Sequence, residues 1–160
     1  MEHIYFYNTM IGLLGICDDE LGITDIYLAK DTKSYNNKEL KETDLIREAA
    51  KQINEYLVGN RKEFNLPLHL KGTEFQRKVW QELGKIEYGA TLCYKDVALN
   101  VGNEKASRAV GMANNKNPIL IVIPCHRVIG KNGSLVGYGG GLELKSFLLN
   151  LEKGITSSPK

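Results

Sequence analysis

The sequence predicts an α/β chain of the α+β kind, with a small strand-and-helix part followed by a mainly helical part. Three observations carry this prediction. The first thirty residues alternate apolar and polar side chains at the period of a strand. The stretch from Thr43 to Val58 repeats at the period of a helix, and residues 73–115 hold three more helical segments separated by glycine-containing turns. The 160 residues suit one domain or two small ones, and the change of character divides them into residues 1–68 and 69–160.

Taken in order, Ile4 and Phe6 mark a first strand, residues 11–17 a second and residues 21–28 a third, with Asp18-Asp19-Glu20 as a polar turn. Residues 31–40 are polar and rich in Asn and Lys, as in a loop. The helix from Thr43 to Val58 gathers Leu45, Ile46, Ala49, Ala50, Ile53, Tyr56 and Leu57 on one side and stops at Gly59. This part carries no catalytic pattern and reads as support for its neighbour. Residues 65–72 form an extended connector. Thr73 and Gln76 then have capping-box spacing, opening a helix that turns Phe75, Val79, Trp80 and Leu83 inward and ends at Gly84. A short helix over residues 94–100, a turn at Val101-Gly102-Asn103 and a second helix over residues 104–115 make a helix-turn-helix candidate. Such hairpins are equally common in proteins that never touch DNA. A last helix over residues 142–153 buries Leu144, Phe147, Leu148 and Leu151, and residues 157–160 are a frayed tail.

Composition is that of a globular protein, with 42% hydrophobic and 25% charged residues. No apolar stretch approaches the roughly 20 residues that span a membrane, and no signal peptide is visible, so a cytoplasmic protein is expected. Cys17, Cys93 and Cys125 are odd in number and widely spaced, which argues against a disulfide framework and fits a reducing compartment. No C-x-x-C pair exists and His3, His69 and His126 are scattered, so no metal site is expected. The net charge of +2 is unevenly spread: residues 1–68 hold 8 basic against 12 acidic side chains, and residues 69–160 hold 13 against 7. A basic C-terminal part can approach a polyanion, although an excess of that size is also unexceptional.

The most informative segment is Pro118-Ile-Leu-Ile-Val-Ile-Pro124-Cys-His-Arg-Val128. The apolar run can lie extended and buried, and Pro124 ends regular pairing. Cys125 then stands at the edge of the core beside His126 and Arg127, a setting in which a thiol becomes a nucleophile. On the second helix of the expected pair Glu104, Arg108, Gly111 and Asn115 share a face, with Ala106, Ala109, Val110 and Ala113 on the packed side. Ser107 and Gly111 are small enough to let that face approach a groove, and a solvated surface reads the same way. The glycine-rich stretch around Tyr138, Gly139 and Gly140 lacks both phosphate-binding patterns and suits a flexible wall for a flat ligand.

Pro124-Cys125-His126-Arg127-Val128 resembles the active-site signature of the O6-alkylguanine-DNA alkyltransferases, and Arg108-Ala-Val-Gly111 is similar to that family's recognition helix. The resemblance runs from about Leu66 to Glu152. It implies an RNase H-like N-terminal domain and a winged helix-turn-helix C-terminal domain that binds alkylated double-stranded DNA through the minor groove. It implies Cys125 as alkyl acceptor, with Glu152 orienting His126, which draws off the thiol proton through a water. Tyr94 would handle the flipped nucleotide and protonate the departing guanine, although a lone Tyr more often only packs. Arg108 would fill the place of the extruded base, with Ser107, Gly111 and Arg127 also at the DNA. Val128, Tyr138, Gly139 and Gly140 would line the base pocket, and Asn117, before Pro118, would tie the helix pair to the active-site segment. The family often has Ser where Gly139 stands, and many relatives have a hydroxyl or small residue where Cys93 stands. A single turnover, a monomer, no cofactor and O4-alkylthymine as a lesser substrate complete what the resemblance implies. Two rivals are an alkyltransferase-like protein that only binds lesions, which carries Trp in place of the nucleophile, and a Cys-His hydrolase, which would leave Arg108 unexplained.

Overall fold

A computed structural model describes residues 1–35, 37–133, 138 and 140–154. The chain forms two compact units, Met1–Lys71 and Gly72–Lys160. Among the described residues no helix is long and apolar enough to cross a membrane.

In the first unit β1 (His3–Thr9), β2 (Gly12–Asp18) and β3 (Ile23–Leu28) form an antiparallel meander. Two residues of the expected loop, Glu39–Leu40, form β4 and pair parallel with β1, giving the order β3-β2-β1-β4. So short an edge strand has no hydrophobic alternation to betray it. The helix α1 (Asp44–Leu57) packs Ile46, Ala49, Ile53, Tyr56 and Leu57 toward the sheet's Ile4, Leu14, Ile16 and Ile26, all buried. Its N-cap Thr43 accepts from the Ile46 N–H and donates to Asp18 Oδ2 at 2.6 Å, so one hydroxyl caps the helix and joins it to the end of β2. The connector joins β3 as a parallel bridge between Ile23 and Leu68.

The second unit opens with α2 (Glu74–Leu83), whose capping box between Thr73 and Gln76 is complete. Then follow β5 (Leu92–Cys93), α3 (Tyr94–Asn100), α4 (Ser107–Asn115), a 3-10 turn at Cys125–Arg127, β6 (Val128–Ile129) and α5 (Leu142–Glu152). The strands β5 and β6 pair in parallel, Leu92 with Val128 and Cys93 with Ile129, so the strand that leads into α3 runs beside the strand that leaves the Cys125–Arg127 turn. Trp80 of α2 donates its indole N–H to the Ala113 carbonyl at 2.9 Å and fastens the end of α4.

Two local expectations are corrected. The second helix of the pair begins at Ser107, because Asn103 folds into a turn of its own: its Oδ1 accepts from the Lys105 N–H and its carbonyl from Ala106. Glu104 therefore lies before the helix, and Ala109 is exposed rather than packed. The apolar run 118–124 is mostly buried but not extended. It folds into tight turns with Ile121 at φ 71°, held by Asn117, whose Oδ1 accepts from the Ile119 N–H at 2.9 Å and whose Nδ2 donates to the Ile123 carbonyl at 2.7 Å. The side-chain amide supplies what a neighbouring strand would have supplied.

The β2–β3 turn offers a test of the first unit. Burial tends to raise the Asp19 pKa, but His69, at 2.6 Å, and the N–H groups of Leu21 and Gly22 outweigh it and pull the carboxyl down to about 2. A depressed pKa stabilises the fold above the ordinary value of 3.8 and is lost as pH falls through about 2. Asp19→Asn should cost on the order of 1–2 kcal/mol at pH 6, and the two proteins should converge near pH 2, measured by urea unfolding across that range.

Candidate active site

Cys125 begins the 3-10 turn and is only 1% exposed. Its placement follows from local chemistry: Asn117 shapes the chain before it, and the Arg127 N–H closes the turn onto the Pro124 carbonyl at 2.9 Å. From α4 the amide of Asn114 donates to the Cys125 carbonyl at 3.4 Å. His126 is wholly buried, and its Nε2 meets Glu152 Oε2 at 2.7 Å. The ring nitrogen facing an ionised carboxylate carries the proton, so Nδ1 is the basic nitrogen of the neutral ring.

Glu152 sits in the last turn of α5, where four donors converge. Besides His126, the Arg127 Nε reaches Oε1 at 2.8 Å, its second nitrogen reaches Oε2 at 2.9 Å, and the Gly89 N–H reaches Oε1 at 3.1 Å. The remaining Arg127 nitrogen donates to the Ile86 carbonyl at 2.6 Å, and its carbon lies 5.7 Å from the centre of the Tyr88 ring. This corrects the expected place of Arg127 at the DNA surface. The residue is 6% exposed and its side chain spends its fork on a buried carboxylate, a geometry that suits guanidinium and needs full pairing. Nothing in the local sequence distinguishes an inward from an outward Arg.

Electrostatics set the resting state of the site. Burial pushes the Cys125 thiol up to about 11, against smaller opposing effects of Asn117 and Lys145. Burial also holds His126 below its ordinary value, against the pull of Glu152, so the ring is neutral at pH 7. The thiol is thus protonated at rest with a neutral imidazole beside it in sequence. The arrangement can move a proton on demand; it does not store a thiolate.

Of the other residues singled out, Tyr94 begins α3 and is part-buried, with its phenol pKa raised by burial and then by Cys125. Arg108 is exposed in the first turn of α4, and Ser107 beside it is part-buried. A Cβ on Gly111 would lie 3.8 Å from the Tyr94 ring, which places the middle of α4 against the start of α3. Val128 is fully buried in β6, and the buried Tyr138 ring stands edge-on to His126 with centres 6.5 Å apart. A Cβ on Gly140 would meet the Tyr138 ring and Leu144 at 2.8 Å, so the chain there runs too close for a side chain. Gly139 and residues 134–137 lie outside the described residues. Cys93 caps α3 through Asp96, which accepts from its N–H at 3.0 Å and its thiol at 3.1 Å.

One residue of this site was missed in the sequence reading. Lys145 is 0% exposed and donates to the Val128 carbonyl at 2.6 Å. It stands seven residues before Glu152 on the same face of α5, and that pairing of two charges on an apolar face was the available signal.

Two family models match the chain: the ribonuclease-like domain of 6-O-methylguanine DNA methyltransferase over residues 3–70, and the DNA-binding domain of the same family over residues 74–154. The constitutive methylated-DNA–protein-cysteine methyltransferase of Bacillus subtilis is 48% identical over 159 residues, covering 96% of each chain. The corresponding protein of Mycobacterium leprae is 53% identical over 154 residues, covering 96% of this chain and 93% of its own. The crystal structure of Mycobacterium tuberculosis OGT in complex with DNA superposes with a TM-score of 0.88 at 39% identity, over 95% of this chain and 93% of that one.

The position of Arg127 predicts a stability effect. Arg127→Met should leave Glu152 buried without its main counter-charge and cost about 3–5 kcal/mol, read by urea unfolding. DNA affinity of the folded fraction should stay within about threefold, whereas a phosphate-contacting Arg would lose affinity with little loss of stability.

Proposed function

The chain belongs to the 6-O-methylguanine DNA methyltransferase family, and on that premise we propose that it repairs duplex DNA by moving an alkyl group, chiefly methyl, from O6 of guanine onto Cys125. The observation that carries this reading is the buried Cys125 whose neighbour His126 is held by Glu152 at 2.7 Å. The Cys125 sulfur attacks the alkyl carbon in line with the C–O6 bond. The S–C bond forms as that bond breaks, the thiol proton passes through a water to His126, and the departing guanine takes a proton from Tyr94. Glu152 keeps the imidazole in the tautomer that can accept, and stabilises it once protonated, in the manner of a triad with cysteine as nucleophile. A thioether is not readily hydrolysed, so each molecule reacts once.

A stacked base cannot offer O6 to a thiol this deep, so the nucleotide must first leave the helix. The exposed Arg108 on α4 suits the gap left behind, and α4 with its small Ser107 and Gly111 suits the minor groove. Val128, Tyr138, Gly139 and Gly140 line the base pocket in this reading, residues 1–68 support residues 69–160, and the protein works as a cytoplasmic monomer. O4-alkylthymine is a lesser substrate.

Three outcomes are expected. Incubation with O6-methylguanine DNA should add about one methyl mass per chain, located by peptide mapping at Cys125, and turnover far beyond one equivalent would refute the acceptor role. His126→Ala and Glu152→Gln should each slow transfer by about 10²–10⁴-fold. With a thiol pKa near 11, transfer by the His126→Ala variant should keep climbing with pH to about that value, while the intact protein should be level at neutral pH and fall only in acid, as His126 gains a proton. Arg108→Ala should slow repair of duplex DNA far more than reaction with free O6-benzylguanine, which needs no flipping; equal losses on both would remove the intercalating role.

A further inference from the structure

Asn114 lies in the last turn of α4 and is 1% exposed. The Cys125 carbonyl beside it is an acceptor, so the amide must turn its NH2 group that way, as the 3.4 Å contact shows. That leaves Oδ1 as a buried acceptor, and it has no hydrogen-bond partner among the described residues. An orphan of this kind inside a protein is costly unless a water or a ligand completes it. This one lies against the backbone of the turn that carries the proposed nucleophile.

The chemistry of the lesion says what would complete it. In O6-alkylguanine N9 is bonded to the sugar and N1 has lost its hydrogen, so the 2-amino group is the only N–H donor on the base. In O4-alkylthymine N1 is bonded to the sugar and N3 has lost its hydrogen, so that base offers no N–H donor. A fixed acceptor facing the base would therefore tell the two lesions apart. We propose that Asn114 Oδ1 accepts a hydrogen bond from the 2-amino group of the flipped base and so makes this protein selective for O6-alkylguanine over O4-alkylthymine. The proposal rests on the alkyl-transfer reading above and gives that site its base preference. A pocket built around a donor rejects an analogue that lacks it, because the acceptor is then left buried and unpaired.

The test compares duplexes carrying O6-methylguanine, O6-methylhypoxanthine (the same base without its 2-amino group) and O4-methylthymine. The intact protein should transfer from methylguanine on the order of tenfold or more faster than from the other two. In Asn114→Leu the ratio of methylguanine to methylhypoxanthine rates should fall to near one, and the margin over methylthymine should narrow with it. Asn114→Ala, which removes the acceptor with a smaller side chain, should give the same collapse and serves if the Leu variant does not fold. A ratio that survives in folded Asn114→Leu or Asn114→Ala, or an equal loss on all three substrates, would overturn the proposal. Failure of the intact protein to transfer methyl from any duplex would instead overturn the alkyl-transfer reading on which it stands.

Discussion

The buried carboxylate of Glu152 is the interaction on which the second unit's chemistry depends. Four donors from two separate stretches of chain meet on its two oxygens: the Gly89 N–H, the His126 ring and two nitrogens of Arg127. An unpaired carboxylate at that depth would not ionise, and an unpaired guanidinium would not stay. Each makes the other tolerable, and the geometry they settle on fixes the His126 ring. The same contact thus stabilises the fold and sets the tautomer of the base.

Burial sets the reactivity of the site at rest. A thiol pushed up to about 11 is protonated at neutral pH and inert toward adventitious electrophiles. For a protein whose nucleophile is spent in one reaction, that restraint is useful. In the proposed reaction the proton must leave as the sulfur attacks, and a neutral imidazole then serves better than a low thiol pKa would. Lys145, held on the Val128 carbonyl, adds positive charge to the same region and favours the thiolate as it forms.

In the proposed reading the helix α4 links recognition to chemistry. Its first turn exposes Arg108, its middle lies against Tyr94, and its last turn buries Asn114 on the Cys125 carbonyl, while Trp80 fastens the Ala113 carbonyl.

The sequence by itself determined the three strand segments of the first thirty residues, the long helix from Thr43, the capping box at Thr73 and the Pro-Cys-His-Arg-Val segment, because each of these is written in neighbours a few residues apart. Periodicity, caps and turn chemistry act over that range. Tertiary structure decided the rest. Arg127 turned inward because Glu152, twenty-five residues away, needed its charge, and no local pattern records that need. The apolar run gave up an extended path because Asn117 bonded across it. The pairing of Glu39–Leu40 with β1, the burial of Lys145 and the orphan oxygen of Asn114 likewise exist only once distant segments have met. A buried polar atom is defined by its partners, and sequence does not say which partners will arrive.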